Sequence, residues 1–137
     1  MAPLLFITPD RKFLYDGKKI KEVKKEKDVP QGSEIIFAKP MLVYDIEGIN
    51  LSYLVENYGV VTVGELKLHE LVQKLDWKDF ILFVDHNRKT IRAFIRGGEE
   101  LDLPYSSLDF LRYILAKFHS GILLESAEFE EIEMFSK

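Results

Sequence analysis

The stretch from Trp77 to Gly98, WKDFILFVDHNRKTIRAFIRGG, most constrains what this chain can fold into. Its two apolar runs, Phe80–Val84 and Thr90–Ile95, are rich in the β-branched and aromatic residues that favour strands. His86-Asn87 stands between them, and Asn accepts the positive φ that a two-residue hairpin turn requires. The stretch therefore predicts a β-hairpin whose second strand has one apolar face and one mixed face.

A helical pattern lies on each side of this hairpin. Before it, apolar residues recur at the spacing of one helical face, which predicts a helix over Glu65–Leu75. After it, a similar pattern predicts a helix over Ser107–Phe118, closed by Gly121 in a C-terminal cap. Ser106 and Asp109 resemble a capping box at the start of this second helix.

The first 46 residues predict strands. Residues 4–23 favour a small meander of two or three strands, because Asp16-Gly17 is a strong hairpin signal. Glu34–Ala38 and Met41–Ile46 are also strand-like. Pro40 stands between them and cannot donate to a ladder, so it indicates an edge, a bulge or a turn.

Three further segments complete the chain. Asn50 can cap a short helix that Gly59 would end. Val60–Val63 fits either a strand or an extended lead-in to the next helix. Glu128–Phe135 fits either one helical face or a terminal edge strand.

Together these patterns predict an α+β fold: a mainly antiparallel sheet with two or three helices packed on one face. A length of 137 residues fits a single domain over residues 1–137. Within it we distinguish an N-terminal β-meander at 1–46, a helix-hairpin-helix unit at 50–124 and an acidic tail at 125–137.

Composition excludes several classes of protein. Apolar residues make up 47% of the chain, which is enough for a core. The longest apolar runs are about five residues, whereas a membrane helix needs roughly 20, so we expect no membrane partner. The chain has no Cys, which excludes disulfides and thiolate metal sites. The N-terminus does not resemble a signal peptide, so a cytoplasmic location is predicted.

Charge is unevenly distributed along the chain. The net charge is −4, but residues 10–27 carry eight basic and four acidic residues, so this segment is +4 and the remainder −8. Such a basic segment could contact the phosphates of a nucleic acid, although a solvated rim is the commoner explanation. The candidate nucleic-acid contacts are Lys18, Lys19, Lys21, Lys24, Lys25 and Lys27.

The histidines give no metal site. His69-Glu70 on a predicted helix resembles the start of a His-Glu-x-x-His motif, but Gln73 stands where the second His is required. His86 is predicted on a turn and His119 at a helix C-terminus, where it favours the helix dipole. We therefore expect no metal.

The acidic residues around the hairpin are best explained as turn residues. Asp79 precedes the first strand and Asp85 follows it, about 20 Å apart by strand rise, so the two cannot form one carboxylate site. Asp76 fits a helix end. Gly97-Gly98 is not a phosphate loop, because Glu99-Glu100 follow it instead of Lys and Ser or Thr. The sequence thus predicts no catalytic residue and no cofactor.

The arginines of the hairpin admit two interpretations. Arg92 and Arg96 share a strand face, and with Arg88 and either Lys39 or Lys78 they could face an acidic partner. A solvated sheet face is the more usual explanation of such a row.

Residues 64–124 resemble the PATAN-type domains of bacterial response regulators. The resemblance rests on the start Gly64–Leu66, the helix segment Leu71–Leu75, the strand end Phe94–Gly97 and the closing helix Leu111–Gly121. The chain departs from the family at Lys78-Asp79, where Thr-Gly is usual, and after the second strand, where the usual Ile-Val-His-Ala run is absent. The resemblance implies a non-catalytic interaction domain in signalling and carries over no catalytic residue.

Three functions remain open from the sequence, and a non-enzymatic protein-interaction or regulatory module is the first. It would bind a protein partner or a further copy of itself. The second is a small nucleic-acid-binding accessory protein that uses residues 10–27. An enzyme assembled from scattered residues ranks last, because no catalytic constellation is present.

Overall fold

The computed structural model describes residues 2–42, 56, 62–74, 79–118, 121–128 and 130. The strand predicted at Met41–Ile46 and the short helix after Asn50 fall largely outside these residues, as do Asp76, Lys78, His119 and most of the tail. The described helices and strands are β1 (Leu4–Ile7), β2 (Lys12–Tyr15), β3 (Ile20–Glu22), β4 (Glu34–Pro40), α1 (Val63–Val72), β5 (Phe80–Asp85), β6 (Thr90–Ile95), β7 (Glu99–Pro104), α2 (Leu108–Phe118) and β8 (Ile122–Ser126). Short 3-10 helices cover Glu26–Asp28 and Tyr105–Ser107.

The eight strands follow one continuous order, β3-β2-β1-β4-β8-β5-β6-β7. β1 and β4 are parallel, and so are β5 and β8, whereas the remaining neighbours are antiparallel. The α+β class is confirmed, but the prediction of a mainly antiparallel sheet is wrong, because the sheet is mixed. The described residues contain two α-helices, the lower of the two numbers expected.

The strand β4 joins two sheets. Residues 34–37 pair with β1, and residues 38–40 pair with β8. We call β1, β2, β3 and residues 34–37 the first sheet, and β5, β6, β7, β8 and residues 38–40 the second sheet. Pro40 ends β4, and the next amide, that of Met41, still donates to the Leu123 carbonyl at 2.8 Å.

The two sheets pack face to face through aromatic residues. The Phe6 ring of β1 lies 5.7 Å from Phe83 and 5.6 Å from Phe94, between ring centroids. Tyr15 of β2 lies 5.3 Å from Phe94. All four side chains are buried, and tilted contacts at these distances are typical of favourable aromatic pairs.

The helices cover the opposite face of the second sheet. Leu68 and Val72 of α1 pack with Leu111 and Ile114 of α2 against inward-facing residues of β5, β6 and β7. Within β6, Ile91, Ala93 and Ile95 belong to this helix-covered core, whereas Phe94 belongs to the core between the sheets. The predicted apolar face of β6 is therefore confirmed, and the fold has three layers: sheet, sheet and helices.

The start of α1 is fixed by a capping box that the sequence prediction missed. Thr62 is the N-cap: its side chain accepts from the Glu65 amide at 3.2 Å, and the Glu65 carboxylate accepts from the Thr62 amide at 2.9 Å. Glu65 is buried and also accepts from the Ser107 hydroxyl, which ties α1 to the segment before α2. Ser106, predicted to cap α2, lies instead inside the 3-10 helix.

The hairpin turn also differs from its prediction. Asp85 pairs with Thr90, so the loop contains four residues rather than two. The Asp85 carboxylate accepts from the amides of Asn87 at 3.0 Å and Arg88 at 3.1 Å, which organises the longer loop. Positive φ falls on Lys89, at 53°, and not on Asn87.

Candidate functional site

The strands of the two sheets cross at a large angle, which brings different strand ends together at each corner. Tyr15 and Glu34 both pair with Leu4, so they lie at the same end of the first sheet. Tyr15 nevertheless reaches Ile95 at one end of β6, and Glu34 lines a cleft with Thr90 at the other end. Such crossing is typical of sheets that share one bent strand, as β4 is shared here.

One corner is closed by backbone contacts between two turns, and we call it the closed corner. The Gly97 amide donates to the Lys18 carbonyl at 2.5 Å, and the buried Tyr15 hydroxyl donates to the Ile95 carbonyl at 3.1 Å. A Cβ atom on Gly98 would lie only 2.6 Å from the Gly17 carbonyl oxygen. The turns therefore meet at a distance that requires glycine.

A second corner is open, and we call it the open corner. It contains a cleft of about 360 Å³ between the first half of β4 and the far end of the β5–β6 hairpin. Ile35 and Ile36 line it from β4, and Phe83, Arg88 and Arg92 line it from the other side. Ile35 is 54% exposed, which is unusual for Ile inside a strand.

The pairing pattern of β4 leaves a strand edge at this cleft. The Ala127 amide donates to the Phe37 carbonyl at 3.1 Å, and the Met41 amide donates to Leu123, so odd-numbered residues of β4 direct their backbone groups toward β8. The Glu34 amide donates to the Pro3 carbonyl on the β1 side. Ile35 therefore points its amide and carbonyl toward the cleft, where the described part of the chain pairs no strand with it.

A different group of polar side chains lies near the carboxyl ends of β5 and β8. His86 Nδ1 is 2.6 Å from the Tyr105 hydroxyl, and His86 Nε2 is 3.6 Å from Glu125 Oε2. The other Glu125 oxygen lies 3.9 Å from Lys39 Nζ. The His86 amide donates to the Ser126 hydroxyl at 3.0 Å. The hydrogen bond between His86 and Tyr105 and the one from the His86 amide to Ser126 hold the β5–β6 loop to the 3-10 helix and to β8.

The acid–base side chains of this group and the cleft lie on opposite faces of β8. Leu123 packs in the helix-covered core and Leu124 in the core between the sheets. Because strand residues alternate, Glu125 shares the helix side and Ser126 the cleft side. Ser126 lines the cleft, as expected. The acid–base side chains and the cleft therefore do not form one site.

The sequence-predicted arginines are paired within the chain. Arg92 forms a close ion pair with Glu100, and Arg96 lies 3.4 Å from Asp79. Arg88 is more exposed, and its Nε lies 3.9 Å from the Asp85 carboxylate. The three arginines therefore do not act as one row, and only Arg88 and Arg92 reach the open corner.

The other predicted carboxylates and histidines have structural partners. Asp85 organises the hairpin loop and Asp79 pairs with Arg96, so the two are separate, as expected. Gln73 stands where the motif would require a second zinc ligand, and its side-chain amide nitrogen lies 3.3 Å from His69 Nδ1. In the part of the chain that the structure describes, no three His, Cys, Asp or Glu side chains are grouped to hold a metal ion.

The six candidate lysines lie on β3, in the segments at its two ends and, for Lys27, in the 3-10 helix Glu26–Asp28, and all are exposed. Acidic residues accompany them: Glu22 accepts from Arg11 at 2.9 Å and from Lys24 at 2.9 Å. These hydrogen bonds, from Arg11 first and Lys24 second, lower the pKa of Glu22 to about 2. The basic segment is therefore partly neutralised by its own carboxylates.

Exposed apolar side chains also occur on α1, where Val63 is 82% and Leu66 40% exposed. They lie one helical turn apart, but two such residues form only a small patch. Among the described helices, none is long and apolar enough to cross a membrane.

Comparison with known proteins identifies no relative. No protein-family model, no curated protein and no solved structure matches this chain. The resemblance to PATAN-type domains therefore stays a prediction, and any functional proposal depends on the geometry of the chain itself.

Proposed function

We propose that this chain is a non-enzymatic protein-interaction module with a regulatory role. The open corner carries the proposal: Ile35 is 54% exposed beside a cleft of about 360 Å³ and a strand edge. Exposed strand edges are usually shortened, charged or covered, because they pair readily with other chains. An apolar edge residue next to a cleft is consistent with a surface that binds a partner.

The arrangement of acid–base groups supports a non-enzymatic role. A catalytic site needs its acid and base beside a cavity that holds the substrate. Here His86 contacts Tyr105 and Glu125 near the helix-covered face, whereas the cleft lies on the other face of β8. Of the two carboxylates that line the cleft, Glu34 and Asp85, the second is bound by the loop amides. This separation favours binding over catalysis.

Site-specific photo-crosslinking tests the proposal. A photoreactive phenylalanine analogue replaces Ile35 in the full chain. A matched variant carries it at Lys27, which is also exposed but lies in the 3-10 helix Glu26–Asp28 and does not line the cleft. We expect a defined protein to be captured at position 35 and not at position 27. The Ile35→Asp variant should then lose co-purification of that same protein.

Two results would contradict the proposal. One is equal capture at both positions, which would indicate non-specific contact. The other is no capture at position 35 together with monomeric sedimentation, because a module that binds neither a partner nor itself has no interaction to mediate.

Nucleic-acid binding is a second candidate, and the exposure of all six lysines supports it. A fluorescence-anisotropy titration with labelled DNA and RNA at about 50 mM salt tests it, since phosphate contacts are strongest at low salt. Binding that weakens steeply with salt and is lost in Lys18→Glu/Lys21→Glu would support this function. Absence of binding at this salt concentration would remove it.

A further inference from the structure

We propose that the open corner binds an extended peptide segment of another protein, which adds as a strand to the edge of β4 and places an acidic residue at Arg88. This inference rests on the proposed function and names the chemistry of the partner. Strand addition of this kind takes affinity from backbone hydrogen bonds and specificity from alternate side chains.

The backbone of Ile35 supplies the first part of the recognition. Its amide and carbonyl point away from β1, as the contacts of Glu34 and Phe37 on either side establish. Among the described residues, the last contact between β4 and the segment of β8 is the Ala127–Phe37 hydrogen bond. A peptide laid beside Ile35 would continue the sheet from that point, because its own amide and carbonyl can pair with those of Ile35.

The cleft supplies an apolar contact for alternate peptide side chains. Ile36 points between the sheets and packs with the core there, and Phe83 forms the opposite wall. Ile35 points to the other face and stays exposed. Because successive side chains of a strand alternate, one peptide residue can enter the cleft while its neighbours remain outside.

Of the four charged residues that line the cleft, Glu34, Asp85, Arg88 and Arg92, it is Arg88 that favours an acidic residue of the peptide beside it. The Arg88 side chain is 84% exposed, and its nearest acid is Asp85 at 3.9 Å. The Oδ1 atom of Asp85 already accepts from two loop amides, so this carboxylate is committed to the turn. Arg92, by contrast, is held closely by Glu100. Arg88 is thus the cation at the cleft best able to meet a carboxylate of a partner.

An amide-resolved NMR titration tests the inference on the full chain. The probe is the capped peptide acetyl-Val-Glu-Val-Glu-Val-amide, and the matched control is the same peptide with N-methylated backbone amides. We expect the probe to shift the amide signals of Ile35, Arg88 and Thr90, and the N-methylated control to leave them unchanged. Arg88→Glu should weaken binding about tenfold, as expected for loss of one charge-assisted hydrogen bond.

Several outcomes would overturn the inference. Equal binding of a Val-Lys-Val-Lys-Val peptide would remove the charge argument, and equal binding of the N-methylated peptide would remove strand addition. If the full chain does not bind the probe but a chain shortened after Glu128 does, the tail of the same chain occupies the cleft. A concentration-dependent shift of these signals without any peptide would assign the corner to a second copy.

The failure of this inference differs from failure of the proposed function. If the probe leaves Ile35 unchanged but crosslinking at position 35 still captures a defined protein, the peptide mode is wrong and the interaction module stands. If neither experiment gives a signal, both proposals are wrong.

Discussion

The closed corner and the open corner are built from the same two sheets, but they differ in whether their backbone amides and carbonyls are hydrogen-bonded between the sheets. At the closed corner, the Gly97 amide and the Ile95 carbonyl are satisfied across the gap by Lys18 and Tyr15. At the open corner, Ile35 directs its amide and carbonyl into a cleft of about 360 Å³. One corner therefore seals the core, whereas the other leaves the amide and carbonyl of Ile35 without a strand partner among the described residues.

The residue types match this difference. The closed corner depends on Gly98, because a side chain at this position would collide with the Gly17 carbonyl of the other turn. The open corner carries charged residues, Arg88 and Glu34 among them, beside one exposed apolar residue. Charges at a strand edge discourage unselective pairing with other chains, so they restrict which partner the edge can accept.

Substitution of Gly98 should give the largest effect and would show how much the closed corner stabilises the fold. A Cβ atom there would lie 2.6 Å from the Gly17 carbonyl oxygen, and the φ of +91° already disfavours a side chain. We expect Gly98→Ala to lower the free energy of unfolding by about 3 kcal/mol, from left-handed strain and loss of the turn contact. Denaturant unfolding at constant m-value measures this loss.

Gly97→Ala is the matched control for this effect. Gly97 has a similar φ of +98°, but a Cβ atom on it would meet nothing within 4 Å. Gly97→Ala should therefore lower the free energy of unfolding only by the cost of a side chain at positive φ, about 1–2 kcal/mol. Equal losses in the two variants would mean that the close approach of the turns contributes nothing.

Tyr15→Phe should have an intermediate effect at the closed corner. The substitution removes one of the two donors to the Ile95 carbonyl, because the Gly98 amide still donates to it at 3.2 Å, and it should cost about 1 kcal/mol near neutral pH. Urea unfolding of the variant beside the parent chain measures it. A loss well below about 0.5 kcal/mol would show that the Gly98 amide alone satisfies this carbonyl and that the Tyr15 hydroxyl contributes little to the closed corner.

The same residue predicts a pH dependence. Burial raises the pKa of Tyr15 above its ordinary value, and the charges of Glu100 and Asp16 raise it further. The folded chain therefore holds this proton more tightly than the unfolded chain, so its stabilisation is complete below pH 10 and is lost as the pH rises through the folded pKa. As the pH is raised through the alkaline range, the free energy of unfolding should fall less steeply for Tyr15→Phe than for the parent chain.

Local patterns were sufficient to predict the helices and the hairpin strands. The apolar spacing around Leu68 and Leu111 indicates helices, and the alternation along β6 indicates a strand with one apolar face. One local feature was present in the sequence and was missed: Thr62 and Glu65 have the spacing of a capping box. The explanation of Asp85 as a turn residue agrees with its hydrogen bonds from the loop amides.

Pairing between distant segments could not be predicted in this way. The parallel neighbours of β1 and β8 are set by how the sheets fold together, because a parallel pair has no turn sequence that marks it. The open corner depends on this topology: nothing near Ile35 in the sequence indicates that β8 stops short of it. The contact of His86 with Tyr105 likewise joins residues from two elements that only the fold brings together.

Substitution of Ile35 should give the smallest change in the free energy of unfolding, and it tests whether the open corner contributes to stability. Because its side chain is 54% exposed, Ile35→Ser should change the free energy of unfolding by less than about 0.5 kcal/mol. Its neighbour Ile36 packs with the core between the sheets, so Ile36→Ser should cost at least about 1 kcal/mol more. Parallel denaturant curves of the two variants measure this difference. A large loss in Ile35→Ser would mean that the exposed residue stabilises the fold and is not reserved for binding, which would make the two corners alike.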